Sequence, residues 1–188
     1  MEYITETFLP YARILTPLLI EGLQITLYVS AAAFVLSTIL GAVLAVIQHF
    51  KVKGLAWLVK LYISYFRGTP LLIQLFLFYY GLPMVFDVMK QCPKVLALII
   101  CLALNSAAYI SEAIRGAIDS VEQGQYEASL AFGMTRYQMM TRIVLPQAAV
   151  AAIPPITNSC MDIIKMSSLG MTIGIQDIMG EAQLTAAT

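Results

Sequence analysis

Long uncharged apolar runs, separated by short polar breaks, dominate the chain. Residues 22–50, 68–86, 95–111 and 143–161 contain no Asp, Glu, Lys or Arg. A helix needs about 20 mostly apolar residues to cross the hydrocarbon core of a bilayer. With their polar flanks, these runs predict four spans, at about 21–48, 56–85, 93–116 and 143–165. Within the first, Gly22, Ala31, Ala32, Ala33, Gly41, Ala42 and Ala45 are small residues that let helices approach closely. Pro146, Pro154 and Pro155 are expected to interrupt the fourth. An amphipathic leader over about residues 3–20, with Phe8, Pro10 and Pro17, is expected to lie at the interface before the first span. The last apolar stretch, Leu169–Ile175, is too short to cross alone.

Composition agrees with the pattern. Of the 188 residues, 60% are hydrophobic and 12% charged, half the charged share of an average soluble domain. Mean hydropathy is +0.80. The first run is no cleavable signal peptide, because it follows a leader containing Glu2, Glu6 and Glu21 and lacks a basic flank. A formal net charge of zero offers nothing to nucleic acid. Cys92, Cys101 and Cys160 are odd in number with no C-x-x-C spacing, which favours packing over metal binding. His49, the only histidine, suits an interface better than a metal site. No metal or catalytic cluster is expected.

Basic residues assign sides. Lys51, Lys53 and Lys60 follow the first span, and Arg115, Arg136 and Arg142 surround the segment after the third; Arg13, Lys90 and Lys94 lie opposite. Six against three predicts that 49–60 and 116–142 face the cytoplasm, with the N-terminus outside. Trp57 and the Tyr79/Tyr80 pair near span ends suit an aromatic belt.

Between the third and fourth spans lies the longest polar segment. Ser120 and Gln123 have capping-box spacing, although Gly124 can shift the helix start to Gln125. Tyr126, Leu130 and Gly133 recur at spacings that suit one helix face. Gly133 suits a helix-ending position with positive φ, and a second helix can begin at Thr135 or Arg136. A short, small-residue helix here, anchored by Tyr126 and Phe132, is shaped to enter a groove on another protein; the other reading of the same residues is an interfacial loop that merely connects two spans.

Glu127-Ala128-Ser129, then Gly133, then Ile143 and Leu145-Pro146 resemble the EAA loop of bacterial ABC-importer permeases, with Ser129 in place of the second Ala. Phe66-Arg-Gly-Thr-Pro70, Leu71-Leu-Ile-Gln74, Gly124-Gln125, Leu145-Pro-Gln147, Pro155-Ile-Thr-Asn158 and Lys165-Met-Ser-Ser-Leu169 resemble segments of the polar amino-acid permeases within that group. Met166 departs from the Asp usual there. The resemblance implies an all-α membrane protein with a type I importer permease core: about four transmembrane helices plus a cytoplasmic coupling helix. A fifth helix usual for the family would lie beyond Thr188.

It also implies partners: ABC ATPase subunits, an extracytoplasmic solute-binding protein, a second permease subunit as homo- or heterodimer, and the lipid bilayer. No phosphate-binding G-x-x-x-x-G-K-[ST] occurs in the chain, so ATP and Mg are expected to be used by the partner ATPase, with no cofactor bound by this chain. Tyr126, Glu127, Ala128, Ser129 and Gly133 are then expected to carry ATPase coupling.

Asn158, Ser159, Asp162 and Lys165, beside the paired prolines, are candidates to line a substrate path. Arg67 and Glu112 are further candidates. Glu112 can pair with Arg115 three residues on, or with Arg67 across spans, and structural pairing is the favoured reading. A secondary transporter or channel is the competing class. Asp162 and Glu112 are its only support, and the loop at 119–137, within the 119–146 coupling segment, argues against it.

Overall fold

The computed structural model describes residues 9–186. Nine α-helices occur among them: α1 (Leu9–His49), α2 (Leu55–Gly68), α3 (Leu71–Phe76), α4 (Leu82–Val85), α5 (Lys94–Asp119), α6 (Gln123–Ala131), α7 (Arg136–Met139), α8 (Leu145–Ser167) and α9 (Ile178–Ala186). A π-helical turn joins α3 to α4 and another joins α7 to α8. No strand is present among the described residues. Three continuous stretches, Leu15–His49, Lys94–Asp119 and Arg136–Ile173, are long and apolar enough to cross a membrane. The bent pair Leu55–Gly68 and Leu71–Val85 makes a fourth if it counts as one crossing.

Two expectations are corrected, and the second span gains a bend. The leader is not a separate element: α1 runs unbroken from Leu9 through Pro17, while Phe8 lies outside the described residues. The 56–85 stretch is not one straight helix but turns by 107° between α2 and α3. Pro70 causes this. It has no N–H for the Phe66 carbonyl, and its ring drives Thr69 into extended backbone at φ −122°, ψ 143°. The Asn105 amide on α5 donates to that Phe66 carbonyl at 3.1 Å, so the acceptor that Pro70 cannot serve is still paired. Pro154 and Pro155 do not interrupt α8, which stays helical through both.

α1 turns Gly22, Thr26, Val29, Ser30, Ala33, Ser37, Gly41, Leu44 and Ala45 inward, while Tyr28, Val35, Ile39, Val43 and Val46 are exposed. The buried face is thus smaller and more polar than the exposed one. Lipid is as apolar as leucine, so helices in it associate by close packing and hydrogen bonds rather than by hiding greasy surface.

The described chain forms two compact units. The first gathers residues up to Phe34, Pro70–Ala103, and those from Asp162 on. Its core holds Val29, Ala33, Leu71, Leu75, Leu98, Leu102, Ile163 and Ile173, with Cys101 packed among them. Here α1 meets the start of α9 at Gly22. A Cβ on that residue would lie 2.8 Å from the backbone of Asp177 and Ile178. One turn along, Thr26 Oγ1 donates to the Gly22 carbonyl (3.0 Å) and accepts from the Ile178 N–H (3.2 Å).

Asp177 heads α9. Its Oδ1 accepts from the Gly180 N–H at 2.9 Å, an N-cap, while Oδ2 is buried without a hydrogen-bond partner. Burial pushes its carboxyl above the usual carboxylate range, against the backbone hydrogen bonds that lower it. Folding therefore favours the protonated acid. The stability contributed is full below the unfolded value near 3.9 and is lost as pH rises through the higher folded value. The melting temperature of wild type should accordingly fall from about pH 4 upward, and Asp177→Asn should flatten that slope. Equal slopes in thermal unfolding of the two proteins would rule the account out.

The second unit gathers Val35–Thr69 and Leu104–Met161. Leu44, Val59, Ile63, Ala107 and Ala108 form one of its cores. Ile118, Met139, Val144 and Ala148 form another, packed by Tyr126 and Val121. The Tyr62 hydroxyl donates to the Leu104 carbonyl.

Candidate functional site

The segment after α5 is a short helical hairpin whose ends are closed by backbone chemistry. At the close of α6, Gly133 takes φ 76°. The Met134 N–H then reaches the Ser129 carbonyl (3.1 Å) and the Gly133 N–H reaches that of Leu130 (2.9 Å), the Schellman arrangement that glycine in the left-handed region permits. Thr135 caps α7 with a reciprocal pair: the Gln138 N–H donates to Thr135 Oγ1 (3.3 Å), and the Thr135 N–H donates to Gln138 Oε1 (2.9 Å). The capping box expected at Ser120 does not form. Ser120 Oγ donates back to the Ala117 carbonyl at 2.8 Å, and α6 starts after Glu122 without a side-chain cap.

The inward face of α6 is Tyr126 and Ser129. The Tyr126 hydroxyl donates to the Ile118 carbonyl at the end of α5 (3.4 Å), and its ring packs on the Ile118–Met139–Val144 cluster. Burial and the nearby Asp119 charge push the Tyr126 phenol above its ordinary value. Ser129 is buried and donates to the Gln125 carbonyl at 2.6 Å. Gln147 at the start of α8 donates to Gln125 Oε1 at 3.5 Å. Tyr126 therefore grips its own chain, not an outside groove. Glu127, Ala128, Leu130, Ala131, Phe132 and Gly133 are exposed. Phe132 is 87% exposed and Tyr137, on α7, 77%. Leu130 and Gly133 thus do not share the inward face with Tyr126. The exposure of Tyr137 is not legible in the sequence, where an aromatic after a helix break carries no periodic signal.

The charged candidates of the second unit converge. Arg115 Nη2 donates to Glu112 Oε2 at 2.8 Å and its Nε to Oε1 at 3.2 Å, a two-pronged pair. Arg115 Nη1 also reaches Asp119 at 2.8 Å. Arg67 Nη1 approaches Glu112 Oε2 at 3.7 Å, with its guanidinium carbon 5.3 Å from the Tyr109 ring centroid. Gln48 Nε2 donates to Glu112 Oε1 at 3.3 Å. Both pairings expected of Glu112 are present together, and Gln48 completes them. One of two amides in a 29-residue uncharged run, it gave no hint of that role.

The remaining candidates do not form one constellation. In the second unit, Asn158 is exposed, and Ser159 Oγ donates to the Pro155 carbonyl at 3.1 Å. In the first, Lys165 pairs with Asp162 at 3.3 Å on the surface.

Comparison with known proteins places this architecture. Residues 37–188 match the family described as binding-protein-dependent transport system inner membrane component. The probable amino-acid ABC transporter permease protein PatM of Vibrio harveyi is 46% identical, over 95% of this chain and 80% of its own. The arginine transport system permease protein ArtQ of Bacillus subtilis is 39% identical, over 92% and 78%. A solved chain described as the crystal structure of an amino acid ABC transporter with histidines superposes with a TM-score of 0.86 at 34% identity, covering 92% of this chain and 79% of that one. A chain of the MetNI methionine ABC transporter, with a TM-score of 0.72 at 20% identity and coverage of 90% and 88%, shares the fold. The chain belongs to the binding-protein-dependent inner-membrane transport components, among the amino-acid ABC transporter permeases.

Proposed function

We propose that this chain is a membrane-spanning subunit of an ATP-driven importer of polar or charged amino acids, and that α6 and α7 couple it to a separate ATPase. One observation carries the coupling role. Tyr126, Ser129 and Met139 hold the hairpin to its own unit, while Leu130, Phe132 and Tyr137 are left exposed beside Glu127 and Ala128. A segment that is rigid inward and apolar outward suits a groove on a partner, and it can transmit movement because it is anchored at the end of α5 and the start of α8. ATP and Mg are used by that partner. A solute-binding protein delivers substrate from outside, and a second permease subunit completes the path.

The basic residues of 49–60 and 116–142 support a cytoplasmic position for this face and an outside N-terminus. Asn158, Ser159, Asp162 and Lys165 are the proposed pathway residues. The exposed Asp162–Lys165 pair contributes only about 0–1 kcal/mol to stability, which leaves both side chains available to a polar substrate. Arg67 and Glu112 are read as structural.

Co-purification of the tagged chain with its ATPase subunit from detergent tests the coupling role. Gly133→Arg, which forces a side chain into the left-handed region at a cost of about 1–2 kcal/mol, and Glu127→Lys, which reverses a surface charge, should each reduce recovered ATPase at least tenfold. Both variants should elute as wild type does in size exclusion. Undiminished ATPase recovery with both would remove the coupling assignment.

A further inference from the structure

A recess in the second unit is independent of the coupling face. Gln48 at the end of α1, Lys51 in the turn beyond it, Ala56 and Lys60 from α2, and Glu112 and Arg115 from α5 line a cavity of about 650 Å³. Three cations face one acid, and that acid is committed: Glu112 accepts from both Arg115 and Gln48. Among the described residues, no acid lies within ion-pairing distance of Lys51 or Lys60. The lining thus carries two uncompensated ammonium groups above a neutralised floor.

Lys51 has a second distinction. It is the one non-glycine with positive φ (48°) among the described residues. It sits where α1 ends, with the Val52 N–H on the Ile47 carbonyl (3.3 Å) and the Lys51 N–H on that of Gln48 (3.1 Å). This is the same Schellman closure that Gly133 makes for α6, and glycine is its favoured residue. A lysine there is strained backbone, and strain of this kind collects at functional positions. Exposed aromatics adjoin two of its lining residues in the chain: Phe50, next to Lys51, is 65% and Trp57, next to Ala56, 66% exposed. Tryptophan is enriched at headgroup depth, and basic pockets between transmembrane helices bind anionic headgroups.

We propose that this recess binds the phosphate of an anionic phospholipid headgroup, with the Lys51 and Lys60 ammonium groups as its direct contacts and the Arg115–Glu112 pair as a fixed floor. The membrane fold and the charge inventory carry this, whichever partner α6 meets.

The test uses the full chain, stripped of lipid in a neutral detergent and titrated with phosphatidylglycerol or phosphatidylcholine, with bound lipid read by native mass spectrometry. Wild type should retain phosphatidylglycerol selectively. Lys51→Gly and Lys60→Gln should each weaken retention about fivefold and the double variant about 25-fold, the equivalent of about 1 kcal/mol per basic residue. Lys90→Gln, which removes a lysine paired with Asp87 outside the recess, should change nothing. Lys51→Gly relieves the backbone strain, so its melting temperature should be no lower than wild type's, and lost lipid cannot be ascribed to misfolding.

Equal retention of both lipids by wild type, or unchanged phosphatidylglycerol binding in the double variant, overturns the proposal. Displacement of lipid by inorganic phosphate at matched concentration would mark a free-anion site and overturn the lipid assignment. Loss of ATPase co-purification with lipid binding intact would assign the lysines to a protein contact instead.

Discussion

Gly22→Leu should lower the melting temperature by about 6–12 °C. The three atoms that a Cβ at this position would meet at 2.8 Å all belong to the backbone of Asp177 and Ile178. No rotamer change can relieve that clash, so α1 must retreat from the start of α9. Overpacking costs about 1–3 kcal/mol. Retreat would also stretch the Ile178 N–H to Thr26 Oγ1 bond, 3.2 Å long, worth about 1 kcal/mol. A total of about 3 kcal/mol, at 2–4 °C per kcal/mol for a chain of this size, gives the expected shift. Thermal unfolding in detergent measures it, with Gly22→Ala intermediate. Gly116→Leu is the control, because a Cβ at Gly116 meets nothing within 4 Å. A wild-type melting temperature for Gly22→Leu would mean that the α1–α9 contact is not tight.

Glu112→Leu should cost about 2 kcal/mol, or about 4–8 °C. It strips Arg115 of a two-pronged partner, Gln48 of an acceptor and Arg67 of its nearest anion. Glu112 is only 23% exposed, but its arginine partners are about 40% exposed. Their charges are therefore partly solvated when released, and the loss stays below the 3–5 kcal/mol of a fully buried pair. Glu112→Gln, which keeps hydrogen-bonding capacity and drops the charge, should fall between. Adding Arg115→Leu to Glu112→Leu should cost less than the sum of the two singles. If Glu112→Leu left the melting temperature unchanged while amino-acid uptake into proteoliposomes ceased, the structural reading would give way to a pathway role.

The candidate site was partly legible. Gly133 at positive φ and the start of α7 after Thr135 follow from local backbone chemistry, which four to six consecutive residues contain. The direction of Tyr126 does not. Aromatic residues on a short helix fit an outside groove or an inside cluster equally well, and the presence of Ile118, Met139 and Val144 beneath it decides. The Ser120 capping-box pattern failed because Ser120 is still held by the last turn of α5 through the Ala117 carbonyl. The role of Gln48 depends on a partner 64 residues away in the chain.

The apolar runs by themselves determined that this is an all-helical membrane protein, because lipid admits only segments whose backbone groups are internally paired. The fixed positions from Glu127 to Pro146 determined its kinship. Tertiary structure alone decided which apolar faces turn inward, because residues that suit lipid also suit a helix interface. It also decided how the proline breaks are resolved. Asn105 supplies the hydrogen bond that Pro70 cannot give to Phe66, and α8 stays helical through Pro154 and Pro155. Finally, it decided that Gly22 must stay a glycine. Only the arrival of the Asp177–Ile178 backbone, 155 residues later in the chain, makes a side chain there costly, because α1 must retreat to admit it.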